Sequence, residues 1–347
     1  MKLEYIKSLI EENYNINVKE LWKIKNIFKV EDYNGKYYSL KKISYEYRHF
    51  NFIINAIIHL QKNGFDGTLD FIKTKNNSNY IQIGEREFGY MNPWIICRES
   101  NYDNPIEVEN VARFLAKLHL SSRGFVVNED MKPRIAWLAW HSTFDTRKDE
   151  IYDFRKRIRK KKDNTSKFDK LYYEYTKRNI ELCNESLKSI VQSNYINRMR
   201  DEMVYRGFCH HDTAHHNLLM LRDNSLRIID FDYCILDTHL HDLASLIIRT
   251  LKNGKWSIEK SIDIINAYSE IYPIYYDELA IIAAFIQFPQ DFWQIGIQYY
   301  WEQKDWGEEF FEKKLCKILD DTEEKNEFAK NLKWVMKEGN FNERIRL

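Results

Sequence analysis

Glycine and proline are scarce in this 347-residue sequence, at 11 and 5 residues. That scarcity argues against long unstructured linkers and low-complexity disorder, since such segments stay open for want of apolar surface to bury. The five cysteines, Cys97, Cys183, Cys209, Cys234 and Cys316, are odd in number, scattered and without a Cys-x-x-Cys pair. Neither a disulfide framework nor a thiolate zinc site is predicted from them, and a reducing cytosol suits them. No run of about 18 apolar residues exists. The start, Met1-Lys2-Leu3-Glu4-Tyr5, is charged and lacks the apolar stretch of a signal peptide. Cytoplasmic synthesis and no membrane partner are expected. A net charge of one sign is missing too: 53 basic and 52 acidic residues leave +1, so no nucleic-acid partner is expected from the whole-molecule field.

What is present is apolar surface, 44% of residues with 15% aromatic, and enough length for about two lobes. After a first helix, Ile27 to Val30 and Lys36 to Lys41 alternate in polarity around the turn residues Asp32-Tyr33-Asn34-Gly35, which predicts a β-hairpin. Ser44 to Lys62 carries apolar residues at helical spacing and closes at Asn63-Gly64. Tyr80 to Ile83 and Phe88 to Ile96 read as two further strands. At Asn104-Pro105-Ile106-Glu107 a cap residue, a proline at the first helical position and a glutamate three residues after the cap predict a helix start. Most of the remaining chain reads helical, including a polar stretch of about sixty residues from His141. The composition changes near Arg98, giving an N-terminal lobe over 1–97 and a C-terminal lobe over 98–347.

The chemistry concentrates between Cys209 and Asp232. Leu218 to Leu221 and Leu226 to Ile229 are two four-residue strands around the turn Arg222-Asp223-Asn224-Ser225. An antiparallel hairpin brings its open ends together, so Asn217 before the first strand and Asp230 after the second must be neighbours. An amide oxygen and a carboxylate are thereby offered to one cation. Oxygen-only ligands suit Mg²⁺, which completes its shell with water and substrate phosphates, so a nucleotide partner is implied. Asp212 lies five residues before Asn217, where a carboxylate can take the proton of an attacking hydroxyl. Asp232 is placed at the same centre, touching a second cation or bracing the site.

His210-x-Asp212-x-x-x-x-Asn217 followed by Ile229-Asp230-Phe231-Asp232 resembles the catalytic loop and metal motif of the aminoglycoside phosphotransferase and protein-kinase superfamily. Cys209-His210-His211-Asp212, Ile229 to Cys234 and His241-Asp242-Leu243-Ala244 are similar to its CotS-type spore-coat branch. The resemblance implies an α+β, two-lobed protein-kinase-like fold, with a small β-rich N-lobe that binds nucleotide and a large helical C-lobe that carries the catalytic loop and acceptor site. It implies ATP, or another nucleoside triphosphate, with Lys41 holding the phosphates and Trp94, Ile95 and Ile96 forming the hinge against which adenine packs. It also implies association with the spore coat and its other proteins. Asp230 is followed almost at once by Asp237 and His241, leaving no room for a polypeptide-binding platform, so a small hydroxylated acceptor is expected.

Two departures from the superfamily pattern support a rival reading. The helix over Ser44 to Lys62 holds one acid, Glu46, in its first turn, while Asn55 and His59 occupy the central positions. Lys25-Asn26-Ile27-Phe28 stands where a glycine-rich phosphate loop belongs. A catalytically silent pseudokinase serving coat assembly is therefore carried beside the phosphotransferase. A third reading, a metal-dependent phosphohydrolase, comes from His210, His211, His215, His216 and the His211-Asp212 and His241-Asp242 doublets. The hairpin ending in Asp230 is foreign to an all-helical hydrolase. Arg155 to Lys162 is expected to be a solvated helix face, most of Trp137, Trp140, Trp293 and Trp301 packing residues, and Asp242 a helix cap or loop brace.

Overall fold

The protein is described from a computed structural model, which covers residues 3–162 and 164–334. The outermost residues of the two expected lobes, 1–2 and 335–347, lie outside the described residues, as does residue 163 within the polar stretch read as helical.

Packing divides the chain into two units, neither of them one continuous stretch. The first contains the described residues up to Ser100, Ser121–Arg134 and Ala214–Ile235; the second contains Asn101–Leu120, Ile135–Thr213 and the described residues from Leu236 onward. The metal-motif hairpin thus packs with the first unit, although a contiguous division after residue 97 assigns it to the second.

In the first unit, helix α1 (Leu3–Asn13) precedes β1 (Val18–Ile24), β2 (Ile27–Asp32) and β3 (Tyr37–Ser44); α2 (Tyr47–Lys62) then leads to β4 (Ile81–Gly84) and β5 (Glu87–Pro93). The strands form an antiparallel sheet in the order β1-β2-β3-β5-β4. The β2–β3 turn is fixed by its own residues: the Asp32 carboxylate accepts the amides of Asn34 and Lys36, each at 2.8 Å, and Gly35 takes φ +76°. Strand alternation sends Phe28, Val30, Leu40 and Met91 into a core shared with Ile6 and Ile10 of α1. Ile43, Phe88 and Tyr90 join Phe50 and Ile54 of α2 in another. Lys41 has the parity of Ile43, and Lys42 the opposite one, where it pairs with Glu87.

A second small sheet belongs to this unit. Strand β6 (Cys97–Glu99), which lies just past the strand expected over Phe88 to Ile96 and was not itself expected, pairs with β7 (Leu218–Leu221), and β7 with β8 (Leu226–Ile228). The Ile228 amide donates to the Gly67 carbonyl at 2.8 Å, fastening the hairpin to the loop after α2.

The second unit is helical. Its main elements are α3 (Pro105–Ser122), α4 (Trp140–Lys160), α5 (Lys167–Gln192), α6 (Tyr195–Tyr205), α7 (Leu240–Leu251), α8 (Ile258–Ser269), α9 (Tyr276–Gln287), α10 (Gln290–Gly296) and α11 (Glu308–Trp334). At the start of α3 the Asn104 side chain accepts the Ile106 amide at 3.1 Å and donates to Glu107 at 3.2 Å. Apolar α7 is buried at Leu243, Ala244, Leu246 and Ile247. Trp140 packs in the core, its indole N–H donating to Asp237 at 3.0 Å, whereas Trp301 is 44% exposed. The basic stretch ends α4 as expected of a solvated face, with Arg157 on Asp153 and Lys161 on Asp169 at 2.8 Å.

Candidate active site

The first unit holds a cavity of about 190 Å³ between the pocket-facing side of the sheet and the β7–β8 hairpin. Ser39 and Lys41 of β3 oppose Asn92 and Tyr90 of β5 in register, so all four side chains line it. Trp94 and Ile95 continue the wall just past β5, and Ile228, Ile229 and Phe231 close it from the hairpin. The Trp94 amide donates to the Tyr37 carbonyl at 3.0 Å, and the Lys29 ammonium lies 5.0 Å from the Trp94 ring centroid. Ile96 is placed differently from Trp94 and Ile95: its side chain is 66% exposed and is not part of the wall.

Lys41 is the charged centre of this cavity. Its ammonium donates to Asp230 Oδ1 at 2.6 Å and also to Asp232 Oδ1. Burial would lower its pKa, but Tyr90 and the two carboxylates outweigh that and raise it, so the ammonium is charged. Burial pushes the Tyr90 phenol up to about 12, with Lys41 pulling the other way. The Asp232 carboxyl is raised by burial; Lys41 opposes the shift and Asp230 adds to it. The acid sought in α2 is elsewhere: Glu46 precedes the helix and pairs with Lys132 at 3.0 Å. The partners of Lys41 are the motif aspartates themselves.

The hairpin closes as its spacing predicts. Asn217 ends a single 3₁₀ turn, His215–Asn217, and its carbonyl accepts the Ile229 amide at 3.0 Å, which brings it beside the backbone of Asp230. Asn217 is 2% exposed, and Asp230 adopts the left-handed conformation at φ +68°. Asp230 and Asp232 form an oxygen-only donor set that already converges on one cation, the lysine ammonium, with the backbone of Asn217 held alongside. Such a set fits Mg²⁺.

The second unit carries Asp212. Helix α7 presents Asp242, Ser245 and Arg249 three and four residues apart, hence on one face. The Asp242 carboxylate accepts the amides of His210 at 2.8 Å and His211 at 3.0 Å, and lies 3.1 Å from His119 Nε2. Burial alone would raise the Asp242 pKa, but hydrogen bonds from His119 and His241 hold it well below the ordinary carboxylate range. Burial lowers the His119 pKa, and its Nδ1 lies 2.7 Å from the Tyr268 hydroxyl. The Ser245 hydroxyl receives Thr213 Oγ1 at 3.1 Å, and Arg249 Nη2 donates to Asp212 Oδ1 at 2.8 Å. The Asp212 amide lies 3.3 Å from His210 Nδ1. Asp242 is therefore a loop brace, and Ser245 and Arg249, which sequence reasoning missed, complete the support. Their signal was legible as three polar residues on one stripe of an apolar helix.

His119, Cys209 and Asp242 are close enough to be weighed as metal ligands. Their atoms are already used: both imidazole nitrogens are engaged, the Cys209 thiol donates to the Thr238 carbonyl at 3.0 Å, and the carboxylate holds two loop amides. The cluster is a structural knot, and the phosphohydrolase reading gains nothing from it.

The structure of an aminoglycoside phosphotransferase from Alicyclobacillus acidocaldarius superposes with a TM-score of 0.82 at 21% identity, over 95% of this chain and 96% of that one. Spectinomycin phosphotransferase APH(9)-Ia, in complex with ADP and spectinomycin, gives 0.69 at 14% identity over 97% and 99%. The chain therefore has the two-lobed aminoglycoside phosphotransferase-like, protein-kinase-like fold, with a small β-rich lobe and a large helical one. Residues 7–332 match the model of the family described as "Spore coat putative kinase YutH", and the chain belongs to that family. Spore coat protein S of Bacillus subtilis is 21% identical over 283 residues, 81% of this chain and 79% of that protein. Among the described residues no helix is long and apolar enough to cross a membrane.

Proposed function

We propose that this member of a spore coat kinase family is an ATP- and Mg²⁺-dependent phosphotransferase that phosphorylates a hydroxyl group of a small molecule. The observation that carries this reading is the convergence of Asp230 and Asp232 on the Lys41 ammonium at the wall of a largely apolar cavity. A cation-binding carboxylate pair beside an apolar slot is what a nucleoside triphosphate needs. In this reading the lobe over 1–97 supplies nucleotide contacts: Lys41 to the phosphates, and Trp94, Ile95 and Ile96 around the base, with Ile96 contributing backbone only. Residues 98–347 supply Asp212 and the acceptor site. Asn217 and Asp230 would hold Mg²⁺, and Asp232 would support a second cation or the first. When bound, the metal neutralises charge building on the phosphoryl oxygens. The acceptor oxygen forms its bond to the γ-phosphorus as the bond to the bridging oxygen breaks; Asp212 takes the hydroxyl proton and ADP leaves.

The Alicyclobacillus and spectinomycin enzymes are phosphotransferases by name, and amicoumacin kinase hAmiN, with TM-score 0.66 at 11% identity, was solved in complex with AMP-PNP, Ca²⁺ and Ami. These neighbours support a small-molecule acceptor. The kinship with a coat protein supports association with other spore coat proteins after cytoplasmic synthesis. A catalytically silent coat module is the second reading, favoured by Glu46 pairing with Lys132 instead of Lys41. Thermal melting of the full chain separates the two. ATP with MgCl₂ is expected to raise the melting temperature, and Asp230→Ala to abolish the rise; no shift at millimolar nucleotide would favour the silent module.

A further inference from the structure

The inner wall of the cavity carries an amide whose hydrogens are already committed. Asn92 Nδ2 donates to the Asp70 carbonyl at 2.8 Å and to the Leu69 carbonyl at 3.3 Å. Those two bonds use both hydrogens and fix which end of the amide is which. Oδ1, an acceptor only, is the group left over, on a side chain that lines the cavity and is 6% exposed. Beside it, Thr68 also lines the cavity, and its buried hydroxyl has no hydrogen-bond partner. A buried polar group without a partner is costly, and a ligand that supplies one gains that energy back.

From these two groups we infer that the cavity selects a nucleobase carrying an exocyclic amino group on its inward edge, adenine in preference to the 6-oxo purines guanine and hypoxanthine. The inference rests on the nucleotide reading above and deepens it. The 6-amino group of adenine donates to Asn92 Oδ1, while a 6-oxo purine sets its carbonyl oxygen against that acceptor. Reversing the amide to suit O6 would turn Oδ1 toward the Leu69 and Asp70 carbonyls, so the wall does not adapt. The Thr68 hydroxyl, able to donate or accept, bonds a ring nitrogen of the same edge.

The test is isothermal titration of the full chain, with MgCl₂, against ATP, GTP and ITP; ITP differs from ATP only on the six-membered ring's amino edge. ATP is expected to bind at least about tenfold more tightly than ITP or GTP, about the worth of one hydrogen bond plus the avoided repulsion. Asn92→Leu is expected to reduce the preference to threefold or less. Because that variant also takes a hydrogen bond from the Asp70 carbonyl and leaves the Leu69 carbonyl with Gln61 Nε2 at 3.1 Å, Thr68→Val serves as the second: it should weaken ATP several-fold without lowering the melting temperature of the ligand-free protein, since its hydroxyl has no partner there. Equal affinity for ATP and ITP overturns the inference while leaving the nucleotide site standing, as does a Thr68→Val protein with unchanged ATP affinity. Absence of binding by all three nucleotides overturns it together with the reading on which it rests.

Discussion

Replacing Lys41 with methionine removes the cation shared by Asp230 and Asp232 while keeping most of the stem that fills the cavity wall. Removing one partner of a desolvated ion pair costs about 3 to 5 kcal/mol. That figure must be discounted here, because the Asp230 side chain is 43% exposed and water screens the charge left behind. Methionine is also spared the burial penalty borne by the ammonium. A net loss of about 1 to 2 kcal/mol is expected, or a few degrees of melting temperature. Asp232, already raised by burial and by Asp230, loses the cation that opposed the shift, so its carboxyl rises further. A raised carboxyl contributes stability that is fully present below its unfolded value and is lost as pH rises through the folded one. The deficit of Lys41→Met is thus larger at pH 8 than at pH 5. Millimolar MgCl₂ should then stabilise the variant more than the parent, because the metal no longer competes with an ammonium and binding to the folded state alone adds RT ln(1 + [L]/Kd). Differential scanning fluorimetry at both pH values, with and without MgCl₂, measures all of this. A variant that melts like the parent and gains no more from magnesium would refute the carboxylate pair as a cation site.

Asp212→Asn keeps an oxygen for Arg249 to bond and so should leave the loop folded; with an acceptor found by a metabolite screen, turnover is expected to fall about 10²- to 10⁴-fold while nucleotide affinity holds. Undiminished turnover would remove Asp212 from the role of base. Asp237, fully buried against Trp140, has its carboxyl pushed up to about 6 by desolvation. It therefore contributes stability below its unfolded value of 3.8 that is lost as pH rises through about 6. Relative to Asp237→Asn, the parent should lose about 1 to 1.5 kcal/mol between pH 5 and pH 7.5 in denaturant titrations; a pH-independent difference would show that Asp237 does not titrate in this window.

Local chemistry made the hairpin and its neighbours legible. The turn at Arg222 to Ser225 set β7 against β8, and the proline and cap at Asn104 set the start of α3, because both signals act over a few residues. The brace at Asp242 followed from a charged residue at the head of an apolar helix. The partners of Lys41 were not legible, since they lie 189 and 191 positions away and no local pattern encodes that approach. Strand β6 was hidden for a related reason: its three residues are all exposed, so they show no alternation, and only β7 makes them a strand. The polar stretch from His141 is two helices because Ser166 caps the second, accepting the Asp169 amide while the Asp169 carboxylate accepts that of Ser166.

The choice between an active enzyme and a silent module bears on two backbone conformations. His211 and Asp230 are both left-handed, at φ +71° and +68°, in the segment that carries the superfamily motifs. Holding a non-glycine residue there costs on the order of 1 kcal/mol or more, least for aspartate. A module that only packs against other proteins would be relieved by glycine at either place. The strain at His211 persists because Asp242 holds its amide, which in turn seats the loop bearing Asp212. At Asp230 it persists in a residue whose carboxylate meets Lys41. In each case the cost maintains the placement of a carboxylate, Asp212 or Asp230, that the proposed phosphoryl transfer would use and coat packing would not, which favours the active reading.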